Sequence, residues 1–276
     1  MNLLESCLNS LLYSAAYRFV IIKHPALKSG AIHPIMNTKS FPHLFCKPPF
    51  HFAQGDTTTK ILFNKFYPEI KGTISFRSLD LKEDLKLIHE WVHQHYAHEY
   101  WQMNGHFSQL YAIYQCVELN SYAHSFIGCF APLAMTSLTP DPSQVALLRS
   151  ARNDAAVARN DERVICQFDV YSVFADELRE HVNGEQHDCG FHLLMAPNKN
   201  PLPGLTPCIV KAFLEYYFSF PEAKRMYAEP DMNNEKSIKL LERCGFEKIK
   251  TIEMSYKKAH VYCLEKQVAS SLRSSQ

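Results

Sequence analysis

Hydrophobic positions along this 276-residue chain change their period from one stretch to the next, and the changes mark out the elements. Residues 57–63 look like a first strand and 72–79 like a second. From Asp80-Leu81 to about His98, Leu81, Leu85, Ile88 and Val92 recur at helical spacing, so one helix is expected there. A second helix is expected over 104–116, and strands over 124–130 and 164–173. The last third alternates strand and helix: a strand through Asp188-Cys-Gly-Phe-His192, a loop rich in proline, a helix over about 207–218, a strand over 226–229 stopped by Pro230, and a helix over 235–244. Asn233 or Asn234 caps that last helix, Ile238, Leu241 and Cys244 form its buried stripe, and Gly245 closes it in the left-handed conformation before Phe246 starts a returning strand. Tyr216, Tyr217 and Phe218 read as core aromatics, because large side chains at helical spacing usually fill an interior.

Two stretches lack such a pattern. Residues 24–56 hold five prolines, including Pro48-Pro49, and read as an irregular arm. In 137–162, Ala151-Arg-Asn-Asp154 recurs as Ala158-Arg-Asn-Asp161, which reads as a charged surface insertion without chemistry. The resulting division is an N-terminal arm over 1–72, an α+β domain with a mixed central sheet flanked by helices over 73–266, and a tail over 267–276. In residues 1–25, Glu5 stands where a positive leader region would be, and Arg18 and Lys23 interrupt the apolar run, so neither a signal peptide nor an anchor is expected.

Composition narrows the partners. With 46% hydrophobic residues the chain can bury one generous core, and a net charge of +1 gives no basic field for nucleic acid or an acidic membrane surface. Nine cysteines without CxxC pairs suit free thiols in a reducing cytoplasm better than a disulfide framework. The oligomeric state is left open by these numbers.

The candidate chemistry lies where strands end. On an extended strand Asp188, Gly190 and His192 share one face, and Cys189, Phe191 and Leu193 share the other, so the polar set can line a groove. Glu229-Pro-Asp231 ends the next strand. Between the two, Gly204-Leu205-Thr206 opens a helix whose first amides and dipole suit a phosphate. A rival motif is His89-Glu90-Trp91-Val92-His93, which matches HExxH and would place two imidazoles on one helix face for zinc with Glu90 as general base. Fourteen histidines in the chain raise the chance of an accidental match, and the extension with a downstream glycine and third histidine is absent.

Asn234-Glu-Lys-Ser-Ile-Lys-Leu-Leu-Glu-Arg-Cys-Gly-Phe246 resembles the last helix and turn of the GNAT acyl-CoA transferases. Phe76-Arg-Ser-Leu79, His89-Glu-Trp91, Asp169-Val-Tyr171, Asp188-Cys-Gly-Phe-His192, Glu229-Pro-Asp231-Met-Asn-Asn234 and Lys257-Lys-Ala259, in that order, look like its siderophore hydroxamate branch. That branch includes hydroxylysine N-acetyltransferases, the lysine acyltransferase of mycobactin assembly and related diamine acylases. The resemblance covers roughly residues 74–265. It implies an acyl-CoA co-substrate, acetyl-CoA or succinyl-CoA, no metal, and a small N-hydroxylated amine as acceptor. It implies His192 and Asp231 at the catalytic centre, with Asp231 orienting the imidazole or touching the amine. It also implies Leu194, Lys199, Gly204, Leu205, Thr206 and Asn234 along the cofactor, and Trp101, Asp169, Tyr171 and Asp188 around the acceptor. Two departures stand out. The side-chain anchor of the usual pyrophosphate loop is replaced by Pro201, with Thr206 at its last position, and the tyrosine many members use to protonate the thiolate is Leu241. These losses support one further reading, a scaffold that binds acyl-CoA without turnover.

Overall fold

The computed structural model describes residues 60–119, 122–133, 162–198 and 201–266. Most of the expected arm, the insertion up to residue 161, Lys199 and the tail lie outside the described residues. In chain order the elements are β1 (Ile61–Tyr67), β2 (Gly72–Ser78), α1 (Leu85–Val92), α2 (His95–Trp101), α3 (Phe107–Leu119), β3 (Ala123–Pro132), β4 (Arg163–Ser172), β5 (Cys189–Met195), α4 (Leu205–Tyr217), β6 (Arg225–Ala228), α5 (Glu235–Arg243), β7 (Glu247–Glu253) and β8 (Lys258–Glu265). The strands form one sheet in the order β1-β2-β3-β4-β5-β6-β8-β7. Every neighbouring pair is antiparallel except β5 and β6, which run parallel.

Two expectations shift. The strand expected at 57–63 is β1, and it pairs with β2 through Tyr67 and Gly72, so a domain edge at residue 72 would cut a hairpin of the sheet. The helix expected over 80–98 is two helices preceded by a turn. The Asp80 carboxylate accepts the amides of Lys82 and Glu83, which holds the chain in that turn, and α1 starts only at Leu85. Gln94, with φ −72° and ψ 145°, is extended and separates α1 from α2. The turn is pinned to the sheet by Arg77, which donates to both oxygens of the buried Asp84 carboxylate at 2.6 and 2.7 Å. Such a fork-to-fork pair is both strong and directional.

Each face of the sheet carries its own core. On one face α4 and α5 pack over Phe76, Phe126, Phe168 and Phe191, and the Phe213 ring stacks on Phe168 with centroids 4.1 Å apart. Tyr216, Tyr217 and Phe218 are buried here, as their spacing led one to expect. On the other face α1, α2 and α3 pack Leu85, Ile88, Trp91 and Leu110 against Ile127, Cys129 and Leu194. Alternation along β5 thus sends Phe191 to the first core and Leu194 to the second, and puts His192 on the side of α1 to α3.

The parallel pair positions the site. Cys189 pairs with Met226 and Gly190 with Tyr227, and there the register ends. Antiparallel partners continue on the far side of each strand, so β5 and β6 diverge beyond Gly190 and open a wedge in the sheet. Residues at the mouth of that wedge have a cleft rather than a neighbouring strand beside them. Among the described residues no helix is long and apolar enough to cross a membrane.

Candidate active site

His192 lies on β5 just past the last paired residue, with its side chain 29% exposed. Extending the Gly190–Tyr227 register by one strand repeat brings His192 level with Glu229, which follows β6 directly. The imidazole Nε2 is 2.7 Å from Glu229 Oε1. The Glu229 side chain is buried; the Tyr171 hydroxyl donates to Oε2, and Lys257 Nζ reaches the Glu229 carbonyl at 2.5 Å and Oε1 at 3.5 Å. Burial alone would push this carboxyl up, but Lys257, His192 and the hydrogen bonds from His192 and Tyr171 outweigh it and hold Glu229 well below the usual carboxylate range. Burial, with Glu229 as neighbour, pushes the Tyr171 phenol far up, so it stays a donor. Asp176 stands close enough to Glu229 for its own carboxyl to be pushed up to about 7, mainly by burial and then by that negative charge.

The Asp188-x-Gly190-x-His192 pattern now has a reason at each position. Gly190 lies opposite Tyr171, and a Cβ there would meet the Tyr171 ring and hydroxyl at under 3.0 Å. Only glycine lets the phenol cross the strand to reach Glu229. Asp188 was expected beside the acceptor, and the structure puts it elsewhere. It is 1% exposed, accepts from the Glu185 amide at 2.7 Å, pairs with Arg225 of β6 at 2.6 Å and is absent from the cleft lining. At the paired end of the strands there is no wedge, so the carboxylate closes the sheet rather than opening onto ligand.

Asp169 pairs directly with His192 across β4 and β5 and shares its face. Its Oδ1 accepts from Ser125 at 2.5 Å and Gln167 at 2.8 Å, and its Oδ2 accepts from Tyr114 at 3.0 Å. Burial pushes this carboxyl up against the opposing pull of those donors. A carboxylate oxygen takes two donors, so Oδ2 retains one acceptor position, and Asp169 faces the cleft. Trp101 meets the His192 ring edge-on at 6.2 Å from the other wall, and Tyr171 lies 5.3 Å away.

Asp231, expected to orient the imidazole or touch the amine, builds the entry to α5, and the carboxylate that meets the imidazole is Glu229. Asp231 Oδ1 accepts from the Asn233 amide at 2.8 Å, its carbonyl accepts from the Asn234 amide at 2.9 Å, and its backbone bridges to Ala259. It still lines the cleft. Asn234 caps α5 by accepting from the Ser237 amide at 3.1 Å. The residue sequence reasoning passed over is Glu229. The available signal was its place immediately before Pro230, at the depth of His192 once β5 and β6 are read as adjacent parallel strands.

The cleft, about 1110 Å³, runs from Trp101, Asp169 and His192 past Leu194 to the starts of α4 and α5. Gly204 caps α4 at φ 82°, and a Cβ there would meet nothing within 4 Å, so the turn opens directly onto space. The Leu205 amide is used by the Leu202 carbonyl at 3.2 Å, and Pro207 has no N–H, so Thr206 is the amide that the first turn has left to offer. Leu205 itself is buried and does not line the cleft. Lys236, Lys239 and Arg243 of α5 border the same end. An open glycine turn, a helix start and three cations beside a slot fit the phosphates and pantetheine of an acyl-CoA, with Leu194 and Leu241 as apolar walls.

The HExxH segment is otherwise engaged. His89 Nε2 lies 3.1 Å from the Gly105 carbonyl, His93 Nδ1 lies 2.7 Å from the His89 carbonyl, and neither histidine lines the cleft. Among the described residues, no three or more histidine, cysteine or acidic side chains are grouped for a metal.

A family profile described as an acetyltransferase (GNAT) domain matches residues 80–138 and 141–254. Among curated proteins, a provisional lysine N-acyltransferase of Schizosaccharomyces pombe is 24% identical over 72% of this chain and 51% of its own. The N(6)-hydroxylysine O-acetyltransferase of Escherichia coli is 19% identical over 72% of this chain and 54% of its own. The chain thus spans about half the length of these two relatives. The N-hydroxyputrescine acetyltransferase of Acinetobacter baumannii is 20% identical over 75% of this chain and 85% of its own. Among solved structures, an uncharacterized Bacillus halodurans protein superposes with a TM-score of 0.63 at 22% identity, covering 79% of this chain and 96% of its own. The aminoglycoside acetyltransferase AAC(6')-Ib with coenzyme A gives 0.56 at 18% identity, covering 72% and 99%. Fold and family profile agree: the chain belongs to the GNAT acetyltransferase family.

Proposed function

We propose that this enzyme acylates the N-hydroxyamine of a hydroxylysine-, hydroxyornithine- or diamine-type acceptor, forming a hydroxamate of the kind used to chelate iron in siderophores. The observation that carries the reading is the pairing of His192 and Asp169 side by side at the mouth of the wedge, a proton acceptor next to a carboxylate with an acceptor position to spare. An N-hydroxyamine offers N–H and O–H donors on adjacent atoms, which matches that pair. The names of the E. coli and A. baumannii relatives support the same acceptor class. The free thiols at Cys129, Cys166, Cys189, Cys208 and Cys244, all buried, suit a reducing cytoplasm.

In the proposed reaction the acceptor nitrogen forms a bond to the thioester carbonyl carbon, the carbon–sulfur bond breaks, and the leaving thiolate takes up a proton. His192 removes the proton that the nitrogen sheds, a step worth about 10²–10⁴-fold in rate. An N-hydroxyamine is less basic than an alkylamine and is largely neutral near pH 7, so His192 acts during or after addition rather than before it. The backbone of β5 beyond Gly190 has no β6 partner and turns its polar groups to the cleft, where an N–H can steady the oxyanion. Trp101 and Tyr171 flank the imidazole at 6.2 and 5.3 Å.

A thiol-release assay pairing acetyl-CoA and succinyl-CoA with hydroxylysine, hydroxyputrescine and hydroxycadaverine, and with their parent amines, tests the acceptor. Release with the hydroxylated compounds, and hydroxamate in the product, is expected. Equal or faster turnover of the parent amines overturns the acceptor class. Acyl-CoA binding without turnover of any of them would instead favour a binding scaffold.

The cofactor end has its own test. Gly204→Ala places a side chain in open space, so its cost is backbone strain at positive φ, roughly 1–2 kcal/mol. Relief of that strain turns the Thr206 amide away from the slot. The expected result is a several-fold rise in KM for acyl-CoA with kcat nearly unchanged, and a KM equal to wild type would remove this turn from the cofactor site.

A further inference from the structure

We infer that Asp169 is the specificity-determining residue of this site: its Oδ2 accepts the O–H of the acceptor's N-hydroxyl group, so that hydroxyl is read directly by the protein. This role rests on the acceptor class proposed above. It adds the atom that recognises the hydroxyl and a class of acceptor that is refused, the O-alkylated hydroxylamines.

An ionised carboxylate has about four acceptor positions, two on each oxygen, and no donor of its own. Ser125 of β3 donates to Asp169 Oδ1 at 2.5 Å and Gln167 of β4 to the same oxygen at 2.8 Å, which fills it. Tyr114 of α3 donates to Oδ2 at 3.0 Å. The direction of that phenol proton is set from behind, because Gln167 Nε2 also donates to the Tyr114 oxygen. Three donors converge on the carboxylate, as suits its ionised form. Ser125, Gln167 and Tyr114 are all buried, so they hold Asp169 in one orientation. Among the described residues Tyr114 is the one donor on Oδ2, and the position it leaves belongs to a residue that borders the cleft.

The place of Asp169 selects the donor that completes it. Asp169 lies directly opposite His192 on paired antiparallel strands, which puts the two Cβ atoms about 4.5–5.5 Å apart on one face. With the acceptor nitrogen beside the imidazole, the group bonded to that nitrogen is the one that meets Asp169. An O–H there makes a charge-assisted bond to the carboxylate, among the stronger hydrogen bonds available. The hydroxyl oxygen forms no new bond in the reaction and keeps its proton in the hydroxamate, so Asp169 binds and orients without moving a proton. Asp188, the other aspartate expected around the acceptor, is closed off against Arg225 and does not compete for this role.

The test compares N-hydroxycadaverine, N-hydroxyputrescine and N6-hydroxylysine, each with its O-methyl ether and its parent amine, with acetyl-CoA and succinyl-CoA as donors. The ether is the decisive comparator: it is a weak base like the hydroxyamine and has lost the O–H donor, whereas the parent amine also differs in protonation. Wild type is expected to show a kcat/KM about 10–10²-fold higher for the hydroxyamine than for its ether, the size of one hydrogen bond to a charged group. In Asp169→Asn the ratio is expected to collapse toward parity. Ser125 and Gln167 hold the amide oxygen at the Oδ1 position, and the amide N–H at the other position is accepted equally by a hydroxyl or an ether oxygen. A ratio between two substrates of one enzyme is not moved by a purely structural loss. Equal rates on hydroxyamine and ether in wild type, or a folded Asp169→Asn enzyme with the wild-type ratio, overturn the Asp169 assignment and leave the acceptor class standing. If Asp169→Asn does not fold, the wild-type ratio decides alone. Turnover of the parent amines with none of the hydroxyamines overturns the acceptor class and this role together.

Discussion

Replacing His192 with alanine abolishes measurable acyl transfer and leaves a folded protein. The rate loss expected from removing a positioned general base is about 10²–10⁴-fold. The fold survives because the imidazole is 29% exposed at the mouth of a wedge and is not part of either core. The imidazole bonds Glu229, and that carboxylate keeps Tyr171 and Lys257 as partners when the ring is gone. Loss of that hydrogen bond to a charged group costs about 1.5–3 kcal/mol. Acyl-CoA binding, measured by titration calorimetry, is expected to be close to wild type, since the end of the cleft proposed for the phosphates is at the starts of α4 and α5. A His192→Ala enzyme that turns over at near-native rate removes the histidine from the chemistry altogether.

The second large effect comes from a residue with no side chain. Gly190→Ala puts a methyl group within 3.0 Å of the Tyr171 ring and hydroxyl. Tyr171 is 3% exposed, and its hydroxyl is held by Glu229, so it is not the loose end of a flexible chain that can step aside. Overpacking of this kind costs roughly 1–3 kcal/mol. The displacement runs along the line from Tyr171 through Glu229 to His192, and a shift of about 1 Å at a reacting group can cost on the order of 10²-fold in rate. Thermal unfolding should show the stability loss, and steady-state kinetics should show kcat falling while the KM for acyl-CoA stays near its original value. The informative contrast is with Gly204→Ala, where the expected change is in KM. If Gly190→Ala melts and turns over like wild type, the phenol does not cross the strand as described.

These two glycines show how differently residues of one cleft are legible. Gly204 follows from local chemistry: a left-handed residue before a helix favours glycine, and the helix start after it is visible in the sequence. Gly190 was visible as a glycine on a strand, but its purpose depends on Tyr171 of β4, which meets it only when β4 and β5 pair in one register. Asp188 makes the same point in the other direction. Alternation groups it with His192, yet the partner that decides its role is Arg225 of β6, and the pair closes the sheet where the strands still run together. The late start of α1 at Leu85 was also hidden, because Leu81, Leu85, Ile88 and Val92 keep helical spacing across the turn that Asp80 holds.

What the sequence determined by itself is local. Turn and cap residues such as Pro230, Asn234 and Gly245, and the periods of the apolar positions, set the order of strands and helices in the last third and put His192 on a strand. These depend on interactions within a few residues, which a single sequence displays directly. Only the tertiary structure decided which carboxylate meets the imidazole. Asp231 and Glu229 are both acidic residues beside Pro230, and the choice between them rests on the parallel register of β5 with β6 and on Lys257 arriving beside β8, contacts between residues far apart in the chain.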